Sequence, residues 1–332
     1  MASLKEVAKL AGVSLMTVSR ALNCPEKLSE ETYKHVKKAI DELNYVPNFS
    51  AKNIRGSTGK TIGILSLGTA TTPFSVEIIL AIEKTVRQHG WHSFVINTFE
   101  DDEQEMEQAA ERLLSYRPAG IIIARNGLQN VKIPRKLHNI PIVLSNCVTN
   151  DIEVASYIPN DFQGQFDLTE QLVKKGYKKA LCMYIPEDAI AAKERKNGFE
   201  KAWFNQLNSQ TAEQHFMIGT PHTYENGAKP LQRLLESNPK KLDFDVVVCG
   251  NDRIAFLTYQ LLLSRSFRIP EDVAVVGYDN MIGVTHLFQP SLTTVQLPHY
   301  EMGKQAALHF IEDRKTKEKN LIKCPLIIGQ SC

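Results

Sequence analysis

Ser3-Leu4-Lys5-Glu6-Val7-Ala8-Lys9-Leu10-Ala11-Gly12-Val13-Ser14-Leu15-Met16-Thr17-Val18-Ser19-Arg20-Ala21-Leu22 is the stretch that decides the reading of the N-terminus. Ser3 is placed to cap a helix, and Glu6 three residues on closes a capping box. Val7, Ala8 and Ala11 then share one helical face. Gly12 ends that helix, because glycine takes the left-handed conformation without a steric penalty. Ser14 caps the next helix at once, leaving a turn of about three residues between two short helices. This spacing predicts a helix-turn-helix, whose second helix enters the DNA major groove.

The rest of the headpiece follows the same logic. Asn23 to Leu28 read as a loop around Pro25, and Ser29 caps a longer helix reaching Leu43. Val36, Ala39, Ile40 and Leu43 form its apolar stripe, the third wall of a small core. Asn44-Tyr45-Val46-Pro47 is an extended step before a second short helical stretch, Asn48 to Arg55. Eight residues are too few for a helix to persist alone in water, so this one is expected to form only when two copies pack together on DNA. Gly56-Ser57-Thr58-Gly59 is a flexible linker. Gly59-Lys60-Thr61 is not a phosphate loop, because the glycine needed five residues earlier is Ile54.

From Thr61 the texture changes to short apolar runs separated by amphipathic segments. Strands are expected at 62–66, 91–96, 120–123, 142–144, 180–184, 246–249 and 273–277, and helices at 76–89, 103–115, 162–175, 192–203, 228–236 and 252–263. Apolar strands alternating with helices predict parallel sheets covered on both faces. Such sheets bind ligands at the carboxyl ends of their strands, which makes Asn146, Asn251 and Asp279 with Asn280 site candidates. Asp252 is expected to cap the helix it starts and to stand outside the site.

Composition narrows the class. Of 39 Lys and Arg, ten fall in residues 1–60, with six of the 37 Asp and Glu, so a mildly basic end joins a near-neutral body. That fits phosphate contacts made by one end only. Cysteines 24, 147, 182, 249, 324 and 332 show no metal-like spacing, and no metal or other cofactor is expected. With no signal peptide and no apolar run of about 18 residues, a cytoplasmic protein without a membrane partner is expected. No heptad tail follows the last strand, which favours a homodimer over a tetramer.

The string Lys5-Glu6-Val7-Ala8, Ala11-Gly12-Val13-Ser14 and Thr17-Val18-Ser19-Arg20 resembles the headpiece of the lactose-repressor family of bacterial transcription regulators. Leu43-Asn44-Tyr45-Val46-Pro47-Asn48 resembles the lead into that family's hinge helix. Gly250-Asn251-Asp252, Val276-Gly277-Tyr278-Asp279 and Ser291-Leu292-Thr293-Thr294-Val295 look like its sugar-binding core. The similarity spans essentially the whole chain. Residues 69–76, 249–253 and 294–299 look closest to the subgroup acting on sucrose operons. The resemblance implies an α/β protein with an N-terminal all-α helix-turn-helix headpiece (1–46) and a hinge helix with linker (47–59). A two-lobed, periplasmic-binding-protein-like core of parallel sheets (60–332) would follow. The first lobe would comprise about 60–159 and 291–320, and the second about 160–290 and 321–332.

It also implies roles. Leu15 and Met16 match operator-reading positions and, being apolar, would meet thymine methyl groups, while Arg20 has the fork for a guanine edge. Thr17, Ser19, Asn23, Ser29 and Tyr45 would touch the DNA backbone, with Ser3, Leu4, Ser14 and Asn48 on the same side. In the hinge, Ala51, Asn53 and Ile54 matter most. Ile54 stands where the family usually has a leucine that wedges into the minor groove. In the core, Arg195 would use its fixed donor fork on adjacent sugar hydroxyls. Asp279 would accept from hydroxyls, Asn251 would donate and accept, and Asn146 falls where many members carry Asp. Ser75 belongs to the same site, and Phe74 and Tyr224 would stack on the sugar ring. His299 replaces an aromatic residue.

The expected protein is a repressor, not an enzyme. It would bind palindromic double-stranded operator DNA as a homodimer and be released by a saccharide such as sucrose, fructose or a derivative. The alternatives are a phosphorylated metabolite acting as corepressor, a transport-type sugar receptor, or a sugar-processing enzyme. No nucleophile elbow or phosphate loop supports the last.

Overall fold

A computed structural model describes residues 2–46, 59–69, 75–98, 102–186, 189–206, 213–218, 229–237 and 242–332. The chain divides into two units, 1–59 and 60–332.

In the first unit the caps fall where the sequence puts them. Helix α1 spans Leu4–Leu10; the Ser3 hydroxyl accepts from the Glu6 amide at 3.3 Å, and the Ser3 amide donates to the Glu6 carboxylate at 2.7 Å. Gly12 sits at φ +66, and the Val13 amide turns back onto the Ala8 carbonyl at 3.0 Å. Helix α2, Leu15–Asn23, starts with the Ser14 hydroxyl accepting from the Thr17 amide at 3.1 Å. Helix α3, Glu30–Glu42, starts the same way on Ser29. Val7, Ala8, Val18, Ala21, Val36 and Ala39 bury the shared core. Six small or β-branched side chains suffice because three short helices enclose little volume. The expected hinge helix, Asn48 to Arg55, lies outside the described residues.

The second unit contains two parallel sheets. The first joins β1 (Thr61–Leu67), β2 (His92–Thr98), β3 (Gly120–Asn130), β4 (Ile142–Val148), β5 (Ala155–Pro159) and β11 (Lys319–Ile322) in the order β11-β5-β4-β3-β1-β2. Helices α4 (Val76–Gln88) and α10 (His299–Ile311) cover one face with Ile78, Ile82, Met302 and Ala306. Helix α5 (Glu103–Ser115) covers the other with Met106, Ala110 and Leu113. The second sheet joins β6 (Lys179–Tyr184), β7 (Glu213–Ile218), β8 (Val246–Cys249) and β9 (Ala274–Val276) in the order β7-β6-β8-β9. It lies between α6 (Asp161–Lys174) with α7 (Ile190–Gln206), and α8 (Lys229–Ser237) with α9 (Asp252–Leu263). Both faces of each sheet are therefore buried, which is why the strands read as continuous apolar runs.

The chain passes between the lobes more than once. The Asn160 amide donates to the Ile322 carbonyl at 2.8 Å as the chain enters α6. On return, β10 (Thr294–Val295) pairs antiparallel with β12 (Leu326–Ile327), while β11 joins the first sheet beside β5. The Ser331 hydroxyl ties the same region to β9, accepting from the Thr293 amide at 2.9 Å and donating to the Val275 carbonyl at 2.5 Å.

Helix α7 runs past both ends of the expected 192–203, and β3 continues past its expected end at 123 through an irregular register between Ala124 and Gln129. Elements β5, β7, β10, β11, β12 and α10 have no counterpart among the sequence expectations. Gly198 sets the distance between α6 and α7, since a Cβ there would lie 2.3 Å from the Phe162 carbonyl oxygen. Gly198→Ala must push these helices apart, and overpacking of this kind costs about 1–3 kcal/mol. Thermal unfolding monitored on the 60–332 unit is expected to show that loss; an unchanged midpoint would mean the helices are free to adjust.

Candidate functional site

In the headpiece, helix α2 carries the candidate reading face. Leu15 and Met16 are 47 % and 64 % exposed, so they take no part in the small core and are free for apolar contact. Arg20 is also exposed, one turn along, with its guanidinium 3.8 Å from the Met16 sulfur. Ser14, Thr17 and Ser29 are engaged in caps, with Ser14 and Thr17 hydroxyls 3.0 Å apart. Ser3 is likewise spent on its capping box. Ser19 is half-buried. Leu4 and Tyr45, expected on the DNA side, are half-buried against the headpiece core. The Asn23 side chain and residues Asn48, Ala51, Asn53 and Ile54 lie outside the described residues.

In the second unit, polar groups gather at the carboxyl ends of both sheets. On the first lobe the Ser75 hydroxyl donates to the Thr69 carbonyl at 2.8 Å, and Ser66 bonds Thr69 through their hydroxyls. Asn146 is buried with φ +58, and its amide donates to the Arg125 carbonyl at 3.1 Å. Phe74 and Tyr224 fall outside the described residues.

The second lobe is built around one arginine. Arg195 on α7 is 3 % exposed; its Nε donates to Asp161 at 2.8 Å and its Nη1 to the Gly250 carbonyl at 2.6 Å. Asp279 stands 3.6 Å away, and the guanidinium lies 3.7 Å from the centre of the Tyr278 ring. Burial opposes the charge, yet Asp161, Tyr278 and Asp279 outweigh it and hold Arg195 more basic than usual. Burial pushes the Asp279 carboxyl up to about 8 against the pull of Arg195. The expected fork on sugar hydroxyls is thus already partly engaged by Asp161 and Gly250.

Asn251 and Asp252 exchange their expected roles in part. The Asn251 side chain accepts from the Ile254 amide at 2.8 Å and is the cap of α9. That leaves its side-chain amide as the group free to donate. Asp252, fully buried, instead accepts from the Thr294 hydroxyl at 2.7 Å, the Met281 amide at 2.7 Å and the Thr285 hydroxyl at 3.1 Å. It anchors the turn after Asp279 and the returning strand. A Cβ on Gly277 would lie 2.3 Å from its carboxylate, which accounts for the glycine.

The structure thus brings Arg195, Asn251 and Asp279 together, and adds Asp161, Tyr278 and the Gly250 carbonyl, which sequence reasoning missed. An acidic residue in a first helical turn reads as a dipole partner, so nothing local marked Asp161 as an arginine ligand. His299 begins α10 and is 3 % exposed; burial and the Arg195 charge press its pKa down to about 4. Two surface cavities of about 410 and 400 Å3 are lined by none of these cluster residues, one by residues such as Thr149 and Lys317, the other by residues such as Gln296, Tyr300 and Lys323. Among the described residues no cluster of potential metal ligands occurs.

Charged and hydroxyl groups at the carboxyl ends of two parallel sheets, with a helix-turn-helix in a separate unit, fit the class of DNA-binding regulators that carry a ligand-binding core. Residues 3–48 match the family described as bacterial regulatory proteins, lacI family, and residues 60–330 match periplasmic binding proteins and sugar binding domain of LacI family. The chain belongs to the LacI family. It is 47 % identical over 332 residues to the sucrose operon repressors of Escherichia coli and Shigella flexneri, covering 99 % of each chain. A lac repressor dimer bound to operator and the anti-inducer ONPF has the same fold, with a TM-score of 0.80 at 23 % identity over 99 % of this chain and 98 % of that one. The chain is accordingly a DNA-binding repressor with a sugar-binding-type core.

The buried imidazole gives a measurable acid response. The unfolded chain takes up a proton on His299 near pH 6.5, whereas the folded state resists until about 4. The stability supplied by the neutral ring is complete above about 6.5 and is lost as pH falls toward 4. Between pH 7 and 5 the wild-type core is expected to lose about 2 kcal/mol more than His299→Gln in denaturant unfolding. Parallel losses in both proteins would show that the ring protonates freely in the folded state.

Proposed function

We propose that this repressor controls a sugar-utilisation operon, most closely one for sucrose. Two copies bind a palindromic operator, and a saccharide (sucrose, fructose or a close derivative) releases them. The observation that carries this reading is the full-length 47 % identity to sucrose operon repressors, joined to the Arg195–Asp161–Asp279 cluster. Hydroxyl groups suit that cluster, since it offers a donor fork, a carboxyl and amide groups within one small volume. The exposed Leu15 and Met16 and the basic headpiece support a reading helix held by phosphate contacts.

A dimer is supported by apolar side chains left in solvent. Val76 and Leu80 lie one turn apart on α4, 42 % and 52 % exposed, and Phe256 and Leu263 share a face of α9 at 44 % each. Ile282 and Leu287 add to the second lobe's exposed apolar area. Patches of this kind mark a protein interface. The cytoplasm is the compartment proposed for a DNA-bound regulator. Among the described residues, no helix is long and apolar enough to cross a membrane.

Fluorescence anisotropy on a palindromic operator from upstream of adjacent sugar genes tests the function. Sucrose or fructose is expected to release the DNA at physiological salt, and specific binding that neither sugar moves would rule out induction by them. Arg20→Ala is expected to weaken that operator by roughly ten- to hundredfold, the worth of a bidentate base contact. An equal loss on every DNA sequence would make Arg20 a phosphate contact instead. Leu80→Asp is expected to sediment as a monomer; a dimer at the same concentration would move the interface elsewhere.

A further inference from the structure

We propose that the site between the lobes takes an uncharged saccharide and rejects its phosphate esters, with Asp161 as the residue that sets this selectivity. The inference deepens the sugar-regulated reading and rests on it.

A phosphate dianion gains most from cationic donors that no carboxylate already neutralises. Arg195 is the cation at the centre of this site, and the protein balances it from inside. Asp161, 1 % exposed, holds the guanidinium Nε at 2.8 Å, while Gly250 holds Nη1 at 2.6 Å and Asp279 stands 3.6 Å off. A phosphate brought to this arginine would have to share it with Asp161, whose second carboxylate oxygen is buried and has no hydrogen-bond partner of its own. It would also meet Asp279 on the same side. A hydroxyl group has no such conflict, because it donates to a carboxyl oxygen and accepts from an N–H in the same place.

Two further arginines belong to the surrounding elements: Arg125 on the first lobe bonds Gln129, and Arg253 acts on Asp279 from the start of α9.

Asp161→Asn tests the assignment. The amide keeps an acceptor for Arg195 while removing the charge that neutralises it. Isothermal titration of the full chain would compare fructose and sucrose with fructose 1-phosphate and sucrose 6-phosphate, with inorganic phosphate as the ion control. The wild type is expected to bind a free sugar at least tenfold more tightly than its ester, and Asp161→Asn to narrow or invert that ratio. The ratio separates selectivity from mere loss of stability, which would weaken both ligands alike. The wild-type comparison stands even if the variant does not fold. An ester bound as tightly as the free sugar, or more tightly, overturns the proposal while leaving regulation by a sugar intact. If the wild type holds its operator but binds neither class, the sugar reading itself fails, and this inference with it.

Discussion

A guanidinium sealed into the second lobe sets the terms for the segments around it. Taking a cation out of water costs several kcal/mol unless carboxylates and carbonyls replace the lost hydration. Arg195, 3 % exposed, finds those replacements on three separate pieces of chain. Asp161 comes from the start of α6, Gly250 from the turn after β8, and Tyr278 and Asp279 from the end of β9. None of these can drift without exposing an uncompensated charge. Gly198 one turn further along α7 is part of the same solution, because only a residue without Cβ lets α7 approach the Phe162 carbonyl closely enough. The buried charge thus specifies one arrangement of helices and strand ends.

That arrangement includes backbone held in costly conformations. Asn146 at φ +58, Asp279 at φ +112 and Asn280 at φ +49 all occupy the left-handed side, and all lie at or just beyond the carboxyl end of a strand. Such residues cost on the order of 1–3 kcal/mol each and persist where neighbours over-determine them. For Asp279 and Asn280 the constraint is visible. Asp252 accepts from the Met281 amide and from Thr285 and Thr294, fixing the turn from beneath. Burial pushes this carboxyl up to about 6 against those hydrogen bonds, so even the anchor bears an electrostatic cost. The stability of the two apolar cores offsets the expense of holding these strand ends in place.

Local chemistry was readable in the sequence; chemistry made by distant segments was not. Ser3, Gly12, Ser14 and Ser29 act through residues three or four positions away, so spacing alone placed them. The long alternation of apolar strands and amphipathic helices gave the layered core for the same reason. The Asn251 and Asp252 exchange shows the limit. Either residue makes a good cap, and the choice was decided by Met281, Thr285 and Thr294, which are remote in sequence. Asp161 was invisible because its partner is 34 residues away on another helix. The strands β10 and β12 escaped because two residues carry no periodicity, and their pairing exists only between lobe crossings. Strand-end position pointed to Asn251 and Asp279 and the family resemblance added Arg195, but neither carried information about what neutralises the arginine.

The crossings show how a small ligand can matter to a large protein. The lobes are joined by short segments: a two-residue ladder between β10 and β12, the Asn160 amide on Ile322, and Ser331 bridging Thr293 to Val275. In the proposed reading these crossings are where the angle between the lobes changes. A ligand shifts such an equilibrium only by its differential affinity for the two arrangements. A hundredfold change in DNA affinity corresponds to about 2.7 kcal/mol. One or two hydrogen bonds to a charged group, made in one lobe arrangement and not in the other, supply about that much. The proposal gives these bonds to Arg195 and Asp161, which belong to α7 and to the first turn of α6, the helix whose entry is tied to the crossing strand at Ile322. In the proposed reading, the charge pair that selects the sugar also lies beside the joint that the sugar must move.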